Sequence, residues 1–92
     1  MRRAAYVDEW KIDSVRRYLQ DRFEGRTIEH YPRASVAYLF QVTERRRTLH
    51  QLVITARFFD RMSSPMSLLE NLSAADVGER MKRGGEITVE LY

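Results

Sequence analysis

Apolar side chains near the start of the chain follow the spacing of an α-helix. They recur three or four positions apart and therefore lie on one helical face: Ile12, Val15, Leu19 and Phe23. Asp8 precedes this stretch, where its side-chain oxygen can accept a hydrogen bond from a free amide of the first turn. Gly25 follows it and readily adopts the left-handed conformation that ends a helix. The pattern predicts a first helix between these two residues.

Three later segments alternate apolar and polar positions, which is typical of strands with one buried face. Their apolar positions are Val36, Tyr38, Phe40 and Val42 in the first, Leu52, Ile54, Ala56 and Phe58 in the second, and Ile87, Val89 and Leu91 in the third. A shorter β-forming segment, residues 27–31, is followed by Pro32, which cannot donate a ladder hydrogen bond. We therefore expect this shorter segment to be an edge strand.

The sequence between the second and third of these segments indicates further helical structure. Pro65 is tolerated at the first position of a short helical turn. Ser73 and Asp76 resemble a capping box in which Asp replaces the usual Glu or Gln. The helix predicted to begin there has Val77 and Met81 on one face.

The order of these elements is helix, strand, strand, strand, helix, strand. It predicts a single α+β domain over residues 1–92, with two layers: an antiparallel sheet of three or four strands and two helices packed on one face. An alternative counts residues 4–7 as a first strand and omits residues 27–31. That order, β-α-β-β-α-β, is the ferredoxin-like arrangement. The pattern alone does not choose between the two.

The register of the central hairpin is predicted from the apolar side chains that each possible pairing would bury. A three-residue loop places Phe40 opposite Leu52, and Tyr38 then faces Ile54. One face of both strands becomes apolar in this register, so a single helical layer can cover it. The loop consists of Arg45, Arg46 and Arg47.

The three adjacent arginines at this tip allow two interpretations. The net charge of the chain is +3, and Lys and Arg together number 16. A charged turn is readily solvated, which requires no function. Alternatively, three neighbouring guanidinium groups would repel one another less on a phosphate backbone, where binding also releases counterions. Nucleic-acid binding through Arg45, Arg46 and Arg47 is therefore a functional hypothesis, which we rank second to protein binding.

Composition excludes several kinds of chemistry. The chain has no cysteine, which excludes disulfides, thiolate catalysis and zinc sites built on sulfur. No apolar run approaches the ~20 residues needed to span a bilayer. The basic pair at the start is not followed by the apolar region of a signal peptide. We expect a cytoplasmic protein without a membrane partner.

The histidines provide little support for catalysis. His30 and His50 are the two in the chain, and no sequence spacing brings a third ligand to either. We predict no catalytic residue, no metal site and no cofactor. A small enzyme that uses His30 or His50 is the third and least favoured hypothesis.

The first functional hypothesis is a non-catalytic module that binds another protein or a second copy of itself. Trp10 lies about half a turn of helix away from the apolar stripe, and Trp is enriched at interface hot spots. Leu39 and Val53 fall on the outer face of the predicted sheet, where an apolar strip can support docking. The predicted interface residues are therefore Trp10, Leu39 and Val53.

Overall fold

A computed structural model describes residues 7–34, 36–83 and 88–92 of the chain. Over these ranges the elements follow in the order α1 (Glu9–Arg22), β1 (Thr27–Arg33), β2 (Ala37–Glu44), β3 (Arg47–Thr55), α2 (Ala56–Asp60), α3 (Pro65–Ala74), α4 (Val77–Lys82) and β4 (Thr88–Leu91). The α+β class is confirmed. Among the described residues, three helices lie between β3 and β4, whereas the sequence predicted a short helical turn at Pro65 and one helix there.

The sheet of the described residues has four strands in the spatial order β1-β2-β3-β4. The first three pair antiparallel, but β4 runs parallel to β3. The prediction of an antiparallel sheet is therefore wrong, and the sheet is mixed. The cause is the long connection through α2, α3 and α4, because a crossover of this length can bring the chain back in the same direction whereas a tight hairpin cannot.

The ferredoxin-like alternative omitted a segment that the structure includes. Residues 27–31 belong to β1, which pairs with β2 along its whole length. The first strand that this alternative required, residues 4–7, lies outside the described residues except for Val7. Ile87, predicted as part of the last strand, also lies outside them.

The predicted register of the central hairpin is confirmed. Phe40 pairs with Leu52, and Tyr38 pairs with Ile54. We call this the inner face of the sheet, because its side chains form one core cluster with the helices. The cluster includes Ile28, Phe40, Val42, Leu52, Ile54, Val89 and Leu91 from the strands, and Val15, Leu19, Phe59, Leu68, Leu72, Val77 and Met81 from the helices.

Three apolar positions assigned to the strands behave differently. Val36 precedes β2 and is 62% exposed, so its side chain does not join the core. Ala56 and Phe58 lie in α2 rather than in a strand, and Phe58 is buried there. The strand ends at Thr55 because its hydroxyl accepts a hydrogen bond from the amide of Phe58 and so caps the following helix.

The hairpin tip is shorter than predicted. Its loop consists of Arg45 and Arg46, both with positive φ (52° and 68°), whereas Arg47 already belongs to β3. Two successive left-handed residues are the signature of the two-residue turn that matches strand twist. A bulge beside Val42 then restores the predicted register along the rest of the hairpin.

Two of the predicted helix starts are confirmed in position. Asp8 is the residue before α1, although its side chain makes no capping hydrogen bond. Pro65 begins α3, whose preceding residue Ser64 accepts a hydrogen bond from the amide of Ser67. Ser64 thus satisfies one of the free amides in the first turn of α3, whereas the side chain of Asp8 satisfies none in α1.

The capping box predicted for α4 is wrong. Ser73 lies within α3, and Asp76 precedes α4 in a left-handed conformation without a side-chain cap. The hydroxyl of Tyr18 instead accepts a buried hydrogen bond from the amide of Gly78, at 3.0 Å. This amide is the second of the helix, one of those that a capping residue would satisfy. A tertiary contact from α1 thus replaces the local cap of α4.

We predict that Tyr18→Phe lowers the free energy of unfolding by about 1–2 kcal/mol, because a buried amide loses its acceptor. The matched control is Tyr31→Phe, which removes an exposed hydroxyl bonded to Glu29 and should change stability by less than about 0.5 kcal/mol. Urea denaturation of both variants measures the difference. Equal effects would contradict the capping role of Tyr18.

We predict that Arg45→Asn combined with Arg46→Gly raises the free energy of unfolding by about 1 kcal/mol, because these residues adopt positive φ at lower cost. Denaturation should be measured at high salt, where repulsion between exposed arginines is screened. Arg47→Gly is the control and should be destabilising, since it places glycine in a strand. A less stable double variant would argue against the two-residue turn.

Candidate functional site

Trp10 is positioned by the first turn of α1 and by its neighbour Lys11. The indole is half-buried and packs against the core cluster. The ammonium of Lys11 lies 5.5 Å from the centre of the indole. It is itself buried and donates a 2.6 Å hydrogen bond to the carbonyl of Phe59 in α2. The Lys11 side chain therefore links Trp10 to the end of a neighbouring helix.

Trp10 lines a groove of about 230 Å³ between α1 and α3. We call it the Trp10 groove, and its lining residues are Trp10, Asp13, Ser14, Arg17, Pro65 and Leu69. Leu69 is 38% exposed, and Met66, which follows Pro65 on α3, is 69% exposed. Large apolar side chains thus remain accessible at this place on the helical layer.

The sequence of α3 explains this exposure. Leu68 and Leu72 are four positions apart and fully buried, so they suffice to attach α3 to the core. Leu69 and Met66 point in other directions around the same helix. A helix with apolar residues beyond its buried face often marks an interaction site.

A second, polar groove of about 260 Å³ continues along α1. We call it the arginine groove, and its lining residues are Asp13, Arg16, Arg17 and Gln20. It shares Asp13 and Arg17 with the Trp10 groove, so the two are contiguous. Within the described parts of the chain, the Nε of Arg16 is buried and has no hydrogen-bond partner.

Leu39 and Val53 lie directly opposite each other on β2 and β3. They occupy the outer face of the sheet, which is the face that does not contribute to the core cluster. Val53 is only 7% exposed and Ala37 only 5%. The predicted interface residues therefore belong to two surfaces, with Trp10 on the helical side and the Leu39–Val53 pair on the other.

Glutamate–tyrosine pairs flank this outer strip at both edges of the described sheet. The hydroxyl of Tyr31 donates to Glu29 at 2.9 Å, and the hydroxyl of Tyr92 donates to Glu90. In each case the hydrogen bond to the carboxylate is the main cause that raises the pKa of the tyrosine. Polar groups thus border an apolar strip of small accessible area.

The arginines of the hairpin tip are exposed. Arg47 pairs with Glu44 across the strands, and Glu44 also forms an ion pair with Arg26 at 3.4 Å. The tip is therefore a basic cluster with one carboxylate at its base. Arg45 and Arg46 project from the turn itself.

The histidines occupy separate positions on the inner face. His30 pairs with Phe40 from the edge strand β1, and His50 pairs with Val42 from β3. The ring of His50 lies 5.0 Å from that of Phe23. Among residues 7–34, 36–83 and 88–92, no three His, Asp or Glu side chains gather closely enough to hold a metal ion. The same ranges contain no helix with the length and apolarity needed to cross a bilayer.

Sequence reasoning missed Met66, Leu69 and Arg16 as candidate site residues. The sequence of α3 does contain a signal for Met66 and Leu69, because it has more apolar residues than one buried helical face requires. The contact of this helix with α1 is a tertiary feature, and no local pattern reveals it. The orphaned Nε of Arg16 likewise depends on the packing around it.

Comparisons of the chain with protein-family models, with curated proteins and with solved structures give no match.

We predict that stability falls as the pH drops below about 6.5, the ordinary pKa of histidine, and that His50→Gln weakens this dependence. Burial lowers the pKa of His50; nearby Arg26 also lowers it, while the backbone of Met81 partly opposes the shift. A lowered folded-state pKa means that the unfolded chain binds the proton more readily. The stability that neutral His50 contributes is complete above the pKa of histidine in the unfolded chain. It is lost as the pH falls through the lower pKa of His50 in the folded protein. Denaturation between about pH 7 and 5 measures it, and identical slopes for both proteins would refute it.

Proposed function

We propose that this chain is a protein-binding module that receives a helical segment of another protein in the Trp10 groove. The observation that supports it best is the convergence of Trp10 and Leu69 on one groove, with the exposed Met66 on the same helix as Leu69. Trp is enriched among the residues that dominate binding energy. Met adapts its shape to apolar partners. An amphipathic helix in an apolar groove is a recurring mode of peptide recognition.

The volume of the groove favours side chains of a macromolecule over a free small molecule. At about 230 Å³ it lies below the roughly 300–1,000 Å³ of typical small-molecule pockets. Apolar anchors from a partner helix can enter a groove of this size, while the rest of that helix lies along α1 and α3. Burying Met66 and Leu69 removes apolar area from water, which is the main driving force for such association.

The outer face of the sheet is a weaker candidate for the same function. Leu39 and Val53 form its apolar strip, but Val53 is already almost inaccessible. A partner on that face would bury little additional apolar surface there. Self-association through the strip is an outcome that the following experiment distinguishes.

We predict that Leu69→Glu weakens the binding of selected helical peptides at least about tenfold, because a carboxylate would be buried among apolar groups. The peptides are obtained by display selection of a helical library against the immobilised protein. Val36→Glu is the matched control: it changes an exposed apolar residue outside the groove, and binding should be unchanged. Affinities are measured by fluorescence anisotropy.

The proposal fails if Leu69→Glu has no effect, if Val36→Glu is equally damaging, or if the selection enriches no peptide. A concentration-dependent mass in solution that disappears in Leu39→Glu would instead favour self-association through the sheet.

A second candidate function is nucleic-acid binding at the hairpin tip. The observation in its favour is the positive φ of Arg45 and Arg46, since strained backbone that persists in a non-glycine residue often accompanies a functional role. Asn and Gly would form the same turn at lower cost. Two adjacent exposed guanidinium groups suit contact with phosphates.

For this second candidate, we predict that Arg45→Glu combined with Arg46→Glu abolishes binding to a labelled RNA or DNA oligonucleotide. Native binding should weaken steeply with added salt, because phosphate contacts release counterions. The control is Arg57→Glu, which makes the same charge change away from the tip. Absence of oligonucleotide binding at low salt would eliminate the candidate.

A further inference from the structure

We infer that the partner helix is acidic as well as apolar, with carboxylates placed to meet Arg16 and Arg17 when its apolar residues fill the Trp10 groove. This inference rests on the proposed function, since it names the chemistry of the segment that enters the same site. It follows from the charge, the hydrogen bonding and the spacing of residues along α1.

The charge of the arginine groove favours an anionic partner. Its lining contains two guanidinium groups, from Arg16 and Arg17, against the single carboxylate of Asp13. In the described part of the chain neither arginine forms an ion pair, whereas Arg26 and Glu44 do. The basic groups are thus available to a carboxylate from outside.

The hydrogen bonding of Arg16 also calls for an acceptor. Its Nε is buried without a partner among the described residues. A buried donor of this kind is unfavourable unless it is satisfied. Because solvent does not reach this Nε, the Arg16 side chain has to turn outward on binding. A carboxylate can then accept from the Nε and a terminal nitrogen of the same guanidinium together, in the bidentate geometry that makes Arg–carboxylate pairs strong.

The spacing along α1 sets the pattern expected in the partner. Trp10 and Arg17 are seven residues apart, which is about 10 Å or two turns of helix. Both lie on one side of α1, because the two grooves are contiguous. A partner helix aligned with α1 therefore needs its acidic residues about seven positions from its apolar anchors, on the same face.

A protein segment fits this surface better than a nucleic acid does. An acidic helix and a phosphate backbone would both bring anions to the arginine groove, so the Trp10 groove is what distinguishes them. The adjoining apolar groups of Pro65 and Leu69 would gain nothing from a phosphate backbone. An acidic amphipathic helix satisfies both grooves at once.

The test uses the helical peptides selected against the native protein. Enriched sequences should combine an apolar cluster with Asp or Glu about two turns away. Changing those carboxylates to amides should weaken binding about tenfold, as expected for the loss of a charge-assisted hydrogen bond. Arg16→Met combined with Arg17→Gln should weaken binding of the acidic peptide equally, yet scarcely alter binding of its amide form. Arg33→Gln, at an exposed position on β1, is the matched control.

Two failures are distinguishable. Peptides that lose affinity with Leu69→Glu but lack the acidic positions, or ignore the arginine variants, would overturn this inference and leave the proposed function standing. Peptides that are indifferent to Leu69→Glu would overturn both.

Discussion

The register that places Phe40 opposite Leu52 decides which side of the sheet the helices must cover. It collects the large side chains of β2 and β3 on the inner face. Within the described residues, buried side chains from each helix then join those of the sheet in one cluster. The outer face retains only a narrow apolar strip, in which Val53 and Ala37 are almost inaccessible to solvent.

One-sided burial has a direct consequence for function. The helices α1 and α3 contact each other, and a groove forms where their outer surfaces meet. Trp10 enters this groove from α1, while Leu69 enters it from α3. The long connection that produces α3 is also the one that makes β4 parallel to β3. The parallel pairing of β4 and the groove thus both depend on the helical connection between β3 and β4.

Regular patterns allowed α1 and the β2–β3 hairpin to be predicted from the sequence. The 3.6-residue stripe of α1 and the alternation in β2 and β3 each depend on local spacing, because burial on one face imposes it. The direction of β4 has no such local signature. The cap of α4 is equally inaccessible, since the acceptor for Gly78 comes from Tyr18, sixty residues away in the sequence. At the tip, Arg45 and Arg46 occupy positions where glycine or asparagine would be expected.

The candidate site was predictable only in part. Trp10 was identified because it lies off the apolar stripe, and the Leu39–Val53 pair because of the register. The limited exposure of Val53 depends on its neighbours across three strands, which alternation does not reveal. Met66 and Leu69 gain their importance from the position of α3 against α1. The packing of one helix against another is the feature that patterns in a single sequence predict least well.

The most direct test of this account is to map the binding surface by NMR. A selected helical peptide is titrated into the labelled protein, and the shifts of the Trp10 indole N–H, the Met66 methyl group and the Leu69 methyl groups are followed together with those of Leu39, Val53 and the arginine tip. The account predicts saturable changes at the Trp10 groove, while the outer sheet face and the tip stay unperturbed. Changes centred on Leu39 and Val53 or on Arg45 and Arg46, with Trp10 unmoved, would contradict it.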